Sequence, residues 1–209
     1  MQQLCAGKIQ NILLITLSIS FLIGPNLAQT KLRTVTDYYL ALPSGIYGIK
    51  GIQDPEFQGF ENDFLFYVNK RNESQSKIRK FRRSLIKIED KTNGYLRLGS
   101  GKWNGWVEVG LFKKTDDNYL VAISQVECGP GCSGDLLLLA YNHGTWTNVT
   151  KQAFPSTPSS EVGYFKLPRV GKIIELICGG DSTEGCKDGQ ILAEFRWNKA
   201  KFIKEAVAR

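Results

Sequence analysis

Five carboxylates crowd two glycine-rich cysteine segments. Glu127 and Asp135 flank Cys128-Gly-Pro-Gly-Cys132, and Asp181, Glu184 and Asp188 lie in or beside Cys178-Gly-Gly-Asp-Ser-Thr-Glu-Gly-Cys186. Two acids about 5 to 10 Å apart suffice for glycoside hydrolysis, one as general acid and the other as base or nucleophile. If both segments reach the same end of a sheet, the five acids share a rim and become candidate catalytic residues. Such a rim would also suit Ca²⁺, but the spacing fits no EF-hand loop. Turn formation and solvation account for the same residues without any chemistry.

Other catalytic routes lack their parts. Triad chemistry needs a histidine, and the single one, His143, stands between Asn142 and Gly144. That triplet is a hairpin-turn signature, so His143 reads as a solvated turn residue. A four-thiolate zinc site needs C-x2–4-C spacing twice, which the second cysteine pair does not offer. The phosphate-cradling G-x-x-x-x-G-K-[ST] loop does not occur, and the G-x-G-x-x-G spacing at Gly129–Gly134 falls in the cysteine loop between two strand candidates, not at the strand-to-helix turn that a dinucleotide fingerprint needs. No metal and no cofactor is expected.

The cysteines read differently once the N-terminus is considered. Lys8 precedes the apolar run Ile12–Ile23, which is closed by Gly24-Pro25 and the small residue Ala28. This is the pattern of a secretory signal peptide over residues 1–28, cleaved after Ala28. The run is too short for a ~30 Å hydrocarbon layer, which takes roughly 20 residues, so no transmembrane anchor is expected after processing. Export places the chain in an oxidising space, secreted or periplasmic, where Cys128, Cys132, Cys178 and Cys186 pair as two disulfides. The local pairings 128–132 and 178–186 are favoured over the other two connectivities, because each closes a short turn between apolar stretches.

Charge is concentrated. Of the chain's formal +7, residues 70–91 hold nine cations, Arg79, Arg82 and Arg83 among them, against Glu73, Glu89 and Asp90. Such a stripe suits an anionic surface, an acidic glycan or an acidic protein partner, or it is simply a solvated helix face. Nucleic acid is disfavoured by the export signal. Trp103-Asn104-Gly105-Trp106 sets two indoles around a turn. Trp103 is the candidate exposed sugar platform; Trp106 is expected in the core, with Val107 facing out.

These residues need elements to position them. Thr34 to Pro43 reads as a capped short helix stopped by proline, and Asp63–Val68 as a strand. From Ser74, Ile78, Phe81 and Leu85 recur at helical spacing, and Ile86 and Ile88 then switch to period 2. Asn93-Gly94 is a hairpin turn. Beyond it, two stretches of similar order follow, about 105–150 and 162–204: strand, strand, cysteine loop, strand, tight turn, strand. The fold class is mainly β within α+β, built of antiparallel meander units that resemble propeller blades or an open sandwich, with one or two short N-terminal helices. One secreted domain, 29–209, holds both units.

At Lys91-Thr-Asn-Gly-Tyr95, Glu108–Lys113, Cys128–Cys132 and Gly144–Thr150 the chain resembles exported bacterial β proteins with no named activity. In them an Asn-Gly-Tyr hairpin leads into a strand pair bridged by a cysteine loop, and then into a Gly-x-Trp strand. The resemblance implies an exported domain and carries over no catalytic residue. The expected function is that of a non-catalytic binding or interaction domain. The alternatives are a carboxylate-dependent glycan hydrolase and a periplasmic enzyme inhibitor.

Overall fold

The computed structural model describes residues 32–43, 49–50, 74–99, 104–115, 118–155, 163–180 and 185–206. The expected leader over 1–28 and the strand expected at Asp63–Val68 lie outside them.

Helix α1 (Val35–Ala41) opens with a capping box: Thr34 Oγ1 accepts from Asp37 N–H at 3.2 Å, and Asp37 Oδ2 accepts from Thr34 N–H at 2.8 Å. Reciprocal bonds of this kind satisfy two donors that a helix start otherwise leaves unpaired. Strand β1 (Ile49–Lys50) is followed by helix α2 (Gln75–Leu85), which runs directly into β2 (Ile86–Asp90). The Asn93-Gly94 turn, with Gly94 at φ +67°, reverses the chain into β3 (Tyr95–Gly99). Long strands follow: β4 (Gly105–Thr115), β5 (Asn118–Cys128) and β6 (Cys132–Asn142). They lead to β7 (Thr145–Asn148) and the single turn α3 (Thr150–Ala153). The chain ends in β8 (Gly163–Lys166), β9 (Ile173–Cys178), β10 (Ile191–Trp197) and β11 (Phe202–Glu205).

The strands form a seven-stranded sheet, ordered β1-β7-β6-β5-β4-β3-β2, and a four-stranded sheet, ordered β11-β10-β9-β8. Among the described residues only the β1–β7 pairing is parallel. The molecule is therefore mainly β, and the meanders β4–β7 and β8–β11 lie in different sheets.

The larger sheet is covered on both faces. On one side Val107, Val109, Val121, Ile123, Leu137 and Leu139 pack with Val35, Tyr38 and Tyr39 of α1. On the other, Phe112, Leu120, Ala122, Leu136 and Leu138 pack with Phe165, Ile174, Leu176, Phe195, Trp197 and Phe202 of the smaller sheet. Each such side chain taken from water contributes roughly 1.5–3 kcal/mol. A strand covered on both faces reads as a continuous apolar run, as in Leu120-Val121-Ala122-Ile123, where every residue is buried. This corrects the expectation for Val107. The alternation around Trp106 suggests one wet face, yet Val107 is buried under the helical layer while Trp106 is half-buried on the opposite face, against Tyr164.

Candidate functional site

The cysteine segments meet as sequence order suggests. Cys128 bonds Cys132 at the tip of the β5–β6 hairpin, and Cys178 bonds Cys186 at the end of β9. The two are neighbours: Cys132 N–H donates to Gly179 O at 2.7 Å, and a Cβ at Gly179 would lie 1.6 Å from Cys132 O. Glycine is required there by the close approach of two backbones.

Three of the five acids around them fall among the described residues. Glu127 opposes Ser133 and Asp135 opposes Gln125 across β5–β6, so Glu127 and Asp135 are diagonal neighbours on one face, the one that carries Ile123 and Leu137. Asp188 lies beside Gly180 and electrostatically influences Tyr164, whose hydroxyl burial already holds above its ordinary pKa. Tyr164 packs on Trp106, on the opposite face of the larger sheet. Asp181 and Glu184 lie outside the described residues. Among the described residues no group of three or more His, Cys, Asp and Glu side chains is placed to hold a metal ion. His143 is exposed at φ 45° in the β6–β7 turn.

The basic stripe divides too. Helix α2 carries Lys77, Arg79, Lys80, Arg82 and Arg83 and no acid. Ile78 and Arg82, four residues apart, form its buried face, as helical geometry dictates. Arg82 is only 1% exposed. Its guanidinium donates to Leu42 O at 2.5 Å and Pro43 O at 2.7 Å, and Tyr39 Oη donates to Arg82 O at 3.2 Å. Arg82 thus satisfies carbonyls at the end of α1 and contributes no charge to the outer face, which corrects its reading as a surface-docking cation. Arg79, Lys80 and Arg83 are exposed. Trp103 lies outside the described residues.

Sequence reasoning did not single out a groove of ≈ 580 Å³ along the β8–β9 connection. Ile88, Tyr95, Arg97 and Glu108 line one wall, and Lys166, Arg169, Lys172 and Arg196 are among the residues of the other. The guanidinium of Arg97 stacks over Trp106, 4.7 Å from the ring centroid. Lys166 pairs with Glu175 at 2.9 Å, Arg169 with Asp90 at 2.9 Å and Arg196 with Glu205 at 2.5 Å.

Glu108 lies on the groove wall and is 5% exposed. Tyr95 Oη donates to its Oε1 at 2.8 Å, and Leu167 N–H donates to its Oε2 at 2.7 Å. Ser124 Oγ donates to Phe165 O at 2.5 Å nearby. Strand β8 is an edge strand, whose backbone groups need partners from outside its own sheet: Ser124 bonds the Phe165 carbonyl within it and Glu108 the Leu167 N–H just past its end, both from the larger sheet. Burial pushes the Glu108 carboxyl up, against the lowering by Leu167 N–H and Tyr95. The period-2 pattern of β4 carried the only available signal, a glutamate on a face shared with Phe112.

No family model, curated protein or solved structure matches the chain. The functional reading therefore rests on these side chains. Among the described residues no helix is long and apolar enough to cross a membrane.

Proposed function

We propose that this chain is an exported, non-catalytic binding domain that meets an anionic partner through the outer face of α2. The observation that carries the reading is the division of labour on that helix. One arginine, Arg82, roots it in the protein, while Arg79, Lys80 and Arg83 stand exposed with no acid on the same helix. A fixed cationic surface attracts polyanions with a strength that falls steeply with salt. Export is supported by the two disulfides, which are at home in an oxidising compartment, and by the leader pattern of residues 1–28.

Retention on a heparin column tests it. The Arg79→Glu/Arg83→Glu double variant, checked for unchanged thermal unfolding, should elute at clearly lower salt than the parent. Equal elution would make the stripe a solvated face. A second reading, carboxylate-dependent glycan hydrolysis, is favoured by Glu127 and Asp135 sharing one face of the β5–β6 hairpin. Its signature is glycan turnover lost in both Glu127→Gln and Asp135→Asn.

A further inference from the structure

We propose that the groove along the β8–β9 connection is a separate binding site for a small organic polyanion, a molecule with two or more oxyanion groups. Arg97, Lys166, Arg169, Lys172 and Arg196 all line it, against the two carboxylates Glu108 and Glu175. Its ≈ 580 Å³ falls in the range of small-molecule sites, about 300–1,000 Å³.

The five cations differ in how available they are. Lys166, Arg169 and Arg196 are themselves exposed, each paired with a partly buried carboxylate, and ion pairs at the surface are weak enough to be exchanged for a ligand anion. Arg97 and Lys172 have no ion pair among the described residues. Arg97 is held by Trp106, which itself packs edge-on against Tyr164 at 5.5 Å. A stacked guanidinium keeps its in-plane N–H groups free for bidentate bonds to an oxyanion. Arg97 is thus pre-aimed, and Lys172 supplies a mobile second charge on the facing wall. Glu108 is not a reacting group here, because both of its oxygens already accept bonds, one from Tyr95 Oη of β3 and one from Leu167 N–H just past β8. Leu167, Pro168 and Val170 add apolar wall, which favours an organic body over a bare inorganic ion.

Calorimetric titration at low salt with citrate, with fructose 1,6-bisphosphate and with neutral glycerol tests the site and separates carboxylate from phosphate chemistry. Citrate or the sugar bisphosphate should bind with 1:1 stoichiometry and glycerol not at all. Lys172→Gln, at an exposed residue, and Arg97→Gln should each weaken the binding about 5- to 10-fold. Glu175→Gln frees Lys166 and should tighten it about 2- to 5-fold, an effect that a merely structural role would not produce. Arg79→Gln/Arg83→Gln should leave it unchanged, so this site and the α2 surface stand or fall separately. Failure of both anions to bind, equal affinity in the groove variants, or affinity that follows the α2 variants instead would overturn the proposal.

Discussion

Arg82 and Glu108 are two charges taken into the interior on opposite sides of the larger sheet, and both serve the backbone of a neighbouring element. Arg82 donates to carbonyls at the end of α1, while Glu108 accepts the Leu167 N–H just beyond the edge strand β8. The difference lies in the proton. A guanidinium stays charged even where burial lowers its pKa, so the Arg82 clamp is indifferent to pH. A carboxyl can be neutralised, and burial raises that of Glu108 above its ordinary 4.5. One interior charge is therefore a permanent fastener, and the other responds to acidity.

The largest expected effect comes from removing the permanent one. Arg82→Met leaves the Leu42 and Pro43 carbonyls without their donors and should cost about 2–4 kcal/mol in urea unfolding. Its stability curve should run parallel to that of the parent at every pH; a gap that changes with pH would break the comparison. Glu108→Gln should cost less, about 1–2 kcal/mol below pH 4.5, since the amide keeps one acceptor. The sign with pH follows from linkage. Because the folded-state pKa is raised, the folded protein holds this proton more tightly than the unfolded chain. Its contribution is fully present below 4.5 and is lost as pH rises through the folded value. The parent's advantage over Glu108→Gln should accordingly shrink as pH climbs from below 4.5, and a flat difference would contradict the assignment. The smallest effect sets the baseline for a neutral cap: Thr34→Ala should cost about 1 kcal/mol, independent of pH apart from the Asp37 carboxyl it contacts, measured by thermal unfolding.

Local features were legible in the sequence because their causes are local. Thr34 and Asp37 lie three residues apart and cap α1 within one turn. The switch from helical to period-2 spacing at Ile86 marks the junction of α2 and β2. The cysteines pair across four and eight residues. Arg82 was misread because its neighbours Arg79 and Arg83 are exposed, and composition cannot tell which cation of a basic helix faces a carbonyl forty residues away. Ile78 at i−4 was the available clue. Val107 was misread because alternation reports one covered face, and a second cover, here α1, must come from elsewhere in the chain.

By itself the sequence determined the strands, turns, caps and covalent clasps, since each is decided by residues within about ten positions of one another and by their intrinsic geometry. Only the tertiary structure decided which charges became interior and which faced water. It brought Arg97, Glu108 and the β8–β9 connection together around a groove, and it set Glu127 and Asp135 side by side on one face of the β5–β6 hairpin. The physical reason is that burial and charge pairing depend on distances through space between segments far apart in the chain, whereas hydrogen-bonded turns and periodic faces depend on spacing along it.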